Sequence, residues 1–388
     1  MSDFHYEINR EGTNSVKWDL RKTIFGKEDV LPMWVADMDF SPPPMVIKEL
    51  EKRLEHGIFG YTFIGDRSAS SIQNWLQTRH NWSIKSNSLL YSPGVVPAIA
   101  TIIQAHTQPN DRIMLQSPVY PPFFGMAEAN QRVVENCPLI LNEGQYEIDF
   151  EAFEKSLQNG VKLFLLCNPH NPSGRVWTKD ELIKIAELCL KYDVKIVSDE
   201  IHSDLVFTPH KHIPIASLDN KYENITITLM APSKTFNLAG LQASFMVVPN
   251  EHSREKIADA QKRQGFFTLG TFGIAGMEAA YEFGESWLDS LLVYLKENIE
   301  LSKKFIKSEI PQLEVIEPEG TYLIWIDCKN TGLNDKEIAT RLLEKGKLAL
   351  EPGPKYGPGG EGFVRMNIAC PRNMLIEGLN RLKRSFEK

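Results

Sequence analysis

The run Val194-Lys-Ile-Val-Ser-Asp-Glu-Ile-His202 begins as a strand of β-branched residues and ends on a carboxylate. The run Asn224-Ile-Thr-Ile-Thr-Leu-Met-Ala-Pro-Ser-Lys-Thr-Phe-Asn-Leu-Ala-Gly240 repeats the pattern with a lysine just beyond its strand. Short apolar runs of this kind, bounded by turn residues, predict buried strands. Open parallel sheets gather their ligands outside the carboxyl ends of their strands, so Asp199 and Lys234 stand where chemistry is expected.

Outward from these two segments the chain alternates between helical and strand patterns. Ser88-Leu-Leu-Tyr-Ser92, Arg112-Ile-Met-Leu-Gln116 and Lys162-Leu-Phe-Leu-Leu-Cys167 read as further buried strands. Thr178 and Glu181 form a capping box for a helix that runs to about Tyr192. Ser41-Pro-Pro-Pro44 opens another helix, with Val46, Ile47, Leu50 and Leu54 as its apolar face and Gly57 as its stop. This alternation predicts an α/β fold around a mostly parallel sheet. Past about residue 250 the pattern changes to long helices, then to the strand-like Thr321–Asp327 and Phe363–Ile368, and to a closing helix from Pro371. A smaller α+β unit is therefore expected over 286–388 and a large unit over 49–285, with 1–48 packing on the small one.

A chain of 388 residues, 42% hydrophobic, is long enough for two such domains. Its formal net charge of -7 argues against an electrostatic grip on nucleic acid or on an anionic membrane, which leaves a small molecule as the expected partner. Residues 1–22 are charged and polar, with no apolar signal core, and no stretch reads as a membrane span, so a cytoplasmic protein is expected. The cysteines Cys137, Cys167, Cys189, Cys328 and Cys370 are scattered and odd in number, which predicts free thiols and no metal site. Gly357-Pro-Gly-Gly-Glu-Gly362 has the glycine spacing of a dinucleotide fingerprint, but it precedes a strand instead of following one and reads as a loop.

A lysine and an aspartate at neighbouring strand ends are what pyridoxal phosphate requires: an amine for a Schiff base with its aldehyde, and an anion to keep its ring nitrogen protonated. Its phosphate calls for backbone N–H groups at a helix N-terminus. Ser92-Pro-Gly-Val-Val-Pro97 would offer those of Gly94, Val95 and Val96 ahead of a helix from Pro97 to His106, and Ser233 would add a hydroxyl. In Cys167-Asn-Pro-His-Asn-Pro-Ser-Gly174, Asn171 is presented at a strand end to donate to the ring oxygen. His202 either approaches the same oxygen or packs beneath the site. Tyr120, after another strand end, would stack on the ring. Arg365 either grips a substrate carboxylate with its two-pronged guanidinium or belongs to a structural ion pair.

The series Asn171-Pro-Ser-Gly174, Asp199-Glu-Ile-His202, Ser233-Lys234 and Arg365 resembles the fold-type I pyridoxal-phosphate enzymes of the class I/II aminotransferase superfamily, whose fold is aspartate-aminotransferase-like. Trp34-Val-Ala-Asp-Met-Asp-Phe40, Gly60-Tyr-Thr-Phe-Ile-Gly65 and Ala231–Gly240 further resemble the MalY/PatB-type C–S lyases, or cystathionine β-lyases. The resemblance spans nearly the whole chain. It implies that Lys234 is the Schiff-base lysine, Asp199 the ring-nitrogen partner, Asn171 the ring-oxygen ligand, Arg365 the substrate-carboxylate anchor and Tyr120 the stacking aromatic. It also implies that Tyr61 reaches the phosphate of a neighbouring subunit, hence a homodimer with shared active sites. Trp34 and Asp37 either line the entrance or belong to a structural loop.

Two positions depart from the aminotransferase pattern. Gln242 stands where many aminotransferases carry a phosphate-binding arginine, and His202 where they carry a tyrosine; both fit the lyase subgroup. The expected reaction is β-elimination from an S-substituted L-cysteine such as cystathionine, giving a thiol, pyruvate and ammonia. Aminotransfer is the rival chemistry. A non-catalytic pyridoxal-phosphate-binding protein is the rival from another class, and would show a cofactor absorbance indifferent to amino acids.

Overall fold

The computed structural model describes residues 4–387. Its main sheet has seven strands: β1 (Leu89–Ser92), β2 (Arg112–Leu115), β3 (Val133–Asn136), β4 (Val161–Cys167), β5 (Lys195–Asp199), β6 (Thr226–Met230) and β7 (Ser244–Val247). They lie in the order β1-β7-β6-β5-β4-β2-β3, and β7 alone runs against its neighbours. The central strands are buried on both faces: every residue of β6 is buried, its threonines included, and β4 reads as a nearly continuous apolar run.

Helices cover both faces. On one side α3 (Val95–His106) packs Ile99, Ile102 and Ile103 against Leu163, Leu165 and Val197. On the other, α4 (Lys179–Lys191) sets Leu182, Ile185 and Cys189 over Phe164 and Ile196. The capping box of α4 is present, with the Thr178 hydroxyl and the Glu181 carboxylate each accepting from the other's backbone N–H. The helix after Ser92 begins at Val95, two residues before the expected start, so Pro97 falls inside its first turn, where a missing N–H is harmless.

Helix α1 (Pro44–Glu55), followed by α2 (Asp66–His80), lies where the sequence predicts it, but its apolar face is narrower. Val46 is buried and Leu50 packs on the core, whereas Ile47 and Leu54 are exposed. Val46 and Leu50, four apart, form the stripe that meets α5 (Thr271–Phe283); Ile47 and Leu54 form a second stripe turned outward. Gly273 and Gly276 of α5 face Leu241, where an added Cβ would collide with its carbonyl oxygen or its side chain.

A second sheet, in the order β8-β9-β11-β10, is antiparallel: β8 (Glu314–Val315), β9 (Leu323–Asp327), β10 (Glu351–Pro352) and β11 (Phe363–Asn367). It packs with α6 (Glu285–Glu309) and α7 (Arg372–Phe386). Strand β9 starts at Leu323 and not at Thr321, because Thr321 has φ +68° and its hydroxyl takes the Leu323 N–H at 3.1 Å. The early chain joins this unit: Leu31–Pro32 pairs in parallel with Leu348–Ala349, and Asn367 N donates to Met33 O at 2.9 Å. From there residues 34–40 run along the junction between the two sheets. All five cysteines are buried and free. No helix among the described residues is long and apolar enough to cross a membrane, and no group of acidic, histidine or cysteine side chains among them has the arrangement of a metal site.

Candidate active site

At the carboxyl ends of the parallel strands lies a cavity of about 680 Å³. Strand β1 delivers Gly94, Val95 and Val96 to its wall; β2 delivers Tyr120; β4 delivers Asn171; β5 delivers Asp199 and His202; β6 delivers Ser233 and Lys234; and β11 reaches in from the second sheet with Arg365. Ten residues singled out in the sequence thus meet on one surface. They come from six separate segments, five at the ends of main-sheet strands and the sixth, with Arg365, from within β11.

Lys234 sits on a single helical turn, Pro232–Thr235, that follows β6. The turn is pinned by the neighbouring Thr235, whose buried hydroxyl donates to Asp204 at 2.8 Å. The Lys234 ammonium donates to the carbonyl oxygen of Ala36 at 2.6 Å. Burial lowers its pKa to about 8; Asp37 pulls it back up, Arg365 pushes it down and Asp199 raises it. Near neutral pH the site therefore holds an appreciable fraction of free amine, the form that attacks a carbonyl carbon or takes a proton from carbon.

Asp199 ends β5 beside β6, its Cα in register with Leu229. Burial raises its pKa to about 7; the Ile201 N–H, at 3.1 Å from its oxygen, pulls it down, Glu200 raises it and Lys234 lowers it. Such a carboxylate is poised for a cationic partner. His202 is buried and stacks edge-on against Tyr322 at 6.0 Å; burial first, then Lys234 and Arg365, lower its pKa to about 3, which keeps the imidazole neutral. Its Nδ1 is buried without a hydrogen-bond partner. Tyr120 keeps its phenol proton, burial and Asp199 raising its pKa to about 12.

Arg365 is buried on β11. It donates to Asn171 Oδ1 at 2.9 Å and to Trp34 O at 2.7 Å, its Nε is buried without a partner, and its guanidinium lies over the Tyr356 ring at 5.3 Å. With one carbonyl and one amide oxygen as its hydrogen-bond partners, it keeps its full charge available to an incoming carboxylate.

Residues 34–40 form a strap whose carbonyl groups are held by side chains from both sides. Arg365 takes Trp34 O, Asn367 takes Val35 O and Asp37 O at 2.6 Å each, and Asn237 takes Met38 O at 2.9 Å and Phe40 O at 2.8 Å. Lys234 and Tyr322 share Ala36 O. Beneath the strap, Asp39 is buried among Lys17 at 2.6 Å, Arg10 at 2.9 Å and the Trp18 indole at 3.0 Å. Trp34 lines the cavity, whereas Asp37 is gripped by Arg10 through both carboxylate oxygens.

Tyr61 lies apart from this cavity. It is fully exposed, in a shallow hollow shared with Phe59 and Phe272. The sequence reading also missed several contributors: the Ala36 carbonyl, Tyr322, Tyr356, Glu351 and Lys355. The position of Tyr322 at the head of an apolar strand was a usable signal; a backbone carbonyl leaves none.

The donor set fits pyridoxal phosphate. It combines a buried amine of lowered pKa, a carboxylate whose pKa burial raises, an unpartnered imidazole nitrogen, and the first N–H groups of α3 with Ser233 beside them. The family model for aminotransferase class I and II matches residues 28–382. The chain belongs to the class I and II aminotransferase family. Within this family it is 47% identical to cystathionine beta-lyase PatB of Bacillus subtilis, over 98% of this chain and 99% of that one. Among solved structures it is similar to cystalysin of Treponema denticola, which contains a pyridoxal 5'-phosphate cofactor, with TM-score 0.96 and 35% identity over 99% of this chain and 98% of the other. A PLP-bound putative aminotransferase from Clostridium difficile matches with TM-score 0.99 and 49% identity over the full length of both chains. The aminotransferase fold is thereby shared across the whole chain.

Proposed function

We propose that this protein is a pyridoxal-phosphate-dependent carbon–sulfur β-lyase that splits L-cystathionine and related S-substituted L-cysteines, with one water, into a thiol, pyruvate and ammonia. The observation that carries the reading is the buried Lys234 amine of lowered pKa, facing Asp199 and Arg365 across one cavity. The resemblance to PatB and cystalysin supports the choice of chemistry within the family.

Bound pyridoxal phosphate supplies an electron sink conjugated to the substrate's α-carbon. Lys234 would hold it covalently, Asp199 would pair with its ring nitrogen, Asn171 and His202 would face its ring oxygen, and Tyr120 would cover its ring. The N–H groups of Val95 and Val96, after Gly94, would hold the phosphate with Ser233. Arg365 grips the substrate α-carboxylate and fixes the α-hydrogen towards Lys234. The neutral Lys234 amine takes that proton, and the thiolate leaves from the β-carbon. The buried walls exclude water and keep His202 uncharged beside the amine.

The exposed apolar residues Ile58, Phe59, Tyr61 and Phe63, with Phe267, support a homodimer in which a second copy covers this patch and Tyr61 serves the partner's phosphate site. The proposed large unit, 49–285, would carry Lys234 and Asp199, and the small unit, 286–388, Arg365.

The test is to incubate cofactor-loaded protein with L-cystathionine and no keto acid, following pyruvate and thiol together. Equal release of both is expected. Conversion that depends on an added keto acid and releases no thiol would assign aminotransfer instead.

A further inference from the structure

On the cavity wall outside the constellation already described stand two side chains of opposite charge, Glu351 and Lys355. Glu351 is a buried carboxylate on β10, its Cα paired in register with Arg365. The Lys355 ammonium meets both of its oxygens at 3.3 Å, longer than the ~2.7–2.9 Å of a tight charge-assisted contact. The Lys355 side chain is half exposed, with 51% of its surface free, so it swings without losing solvation. A pair this loose, with one partner half in solvent, adds little to stability, which gives no structural reason for a buried carboxylate on a substrate cavity.

The turn that presents Lys355 is tightly packed. Residues Gly353–Tyr356 form one 3-10 turn, and Gly353 lies so close to the Gly360 carbonyl that no Cβ fits between them. Val119 N donates to Tyr356 O at 2.9 Å, tying the turn to the segment that carries Tyr120. The next ring along, Tyr356, lies under Arg365. The glycine-rich run Gly357–Gly362 is thus the support of a cavity wall.

We propose that Glu351 and Lys355 form the specificity site for the leaving group and recognise a thiol whose far end is an α-amino acid zwitterion, as in L-cystathionine. The inference rests on the lyase reading above. Charge pairing selects this class. A neutral S-alkyl tail gains nothing by parting the pair, and a tail with a single charge leaves one partner unmatched. A zwitterion gives its carboxylate to Lys355 and its ammonium to Glu351, so that every charge stays paired.

The experiment compares L-cystathionine with S-methyl-L-cysteine in two ways. In loaded enzyme, kcat/KM is measured for the parent, Lys355→Met, Lys355→Arg and Glu351→Gln; the dissociation constants of both compounds are then measured for the loaded Lys234→Ala protein with and without Lys355→Met. The expected result is a loss of about tenfold or more on L-cystathionine for Lys355→Met, a smaller loss for Glu351→Gln, near-parent behaviour for Lys355→Arg, and changes within about twofold on S-methyl-L-cysteine. Equal effects on both compounds, or none on L-cystathionine, would overturn the proposal. If the parent released no thiol from either compound, the lyase reading would fall, and the ratio of dissociation constants would still decide the role of the pair.

Discussion

Lys234 and Tyr322 donate to one and the same acceptor, the carbonyl oxygen of Ala36, at 2.6 and 3.0 Å. The two donors come from different sheets and meet on the strap between them. The Ala36 oxygen therefore keeps a partner when the Lys234 amine turns to its chemistry, and the amine is not held back by an acceptor that would otherwise be left bare.

Removing the amine is expected to end turnover. Lys234→Ala should lower pyruvate release from L-cystathionine by at least about a thousandfold, consistent with the loss of both covalent and proton-transfer roles, while Tyr322 keeps the strap in place. Residual lyase activity within about tenfold of the parent would refute the assignment.

Tyr322→Phe tests the shared acceptor. The loss of one neutral hydrogen bond is expected to cost about 0.5–1.5 kcal/mol of stability and to lower kcat several-fold with little change in KM. Urea unfolding and steady-state kinetics separate the two effects. An unchanged kcat would show that Lys234 does not depend on the second donor.

Arg365→Lys replaces a two-pronged donor by a point charge in a site whose Asn171 and Trp34 contacts need the fork. A loss of about 2–3 kcal/mol in transition-state binding, or roughly thirty- to a hundred-and-sixtyfold in kcat/KM, is expected. It should appear chiefly in KM for every substrate, in contrast to Lys355, whose effect depends on the leaving group.

Acid should destabilise the cofactor-free protein from about pH 6.5 downward. Burial leads the causes that lower the pKa of His170 and His202 to about 3 and of His106 to about 4. Below their ordinary value of 6.5 the unfolded chain takes up protons that the folded chain refuses, so stability falls as pH falls towards those lowered values. Asp199 works the other way: its pKa is raised from 3.8 to about 7, so its contribution improves between those limits as pH falls. Three histidines outweigh one carboxylate, and melting temperatures between pH 7 and 4.5 should drop, with a shallower slope in His202→Gln. A melting temperature that rises on acidification would contradict this balance.

Recapture of the cofactor by the stripped protein should speed up with pH and level off above about 8, where the Lys234 amine is neutral. Absorbance during reconstitution from pH 6.5 to 9 reads it directly. A rate that is flat over this range would show that the amine is already neutral at the lower end.

Much of this protein was legible in its sequence because the signals were local. The β-branched run before Asp199, the Thr178–Glu181 capping box and the Pro-Ser-Lys turn at Lys234 each fix backbone within a few residues, and a parallel sheet then sends every strand end to the same edge. The residue types required by an amine-based cofactor were also in view. The tertiary structure alone decided what lies opposite them. No periodicity says that Ala36 offers its carbonyl to Lys234, that Arg365 crosses from the second sheet to Asn171, or that Glu351 and Lys355 share the same wall. Nor did the apolar count on α1 show that Ile47 and Leu54 face outward, since hydrophobicity marks which residues gain by burial and not what is there to cover them. Contacts between residues some two hundred positions apart depend on how the two sheets and the strap pack, and that packing is a property of the whole chain and of no segment within it.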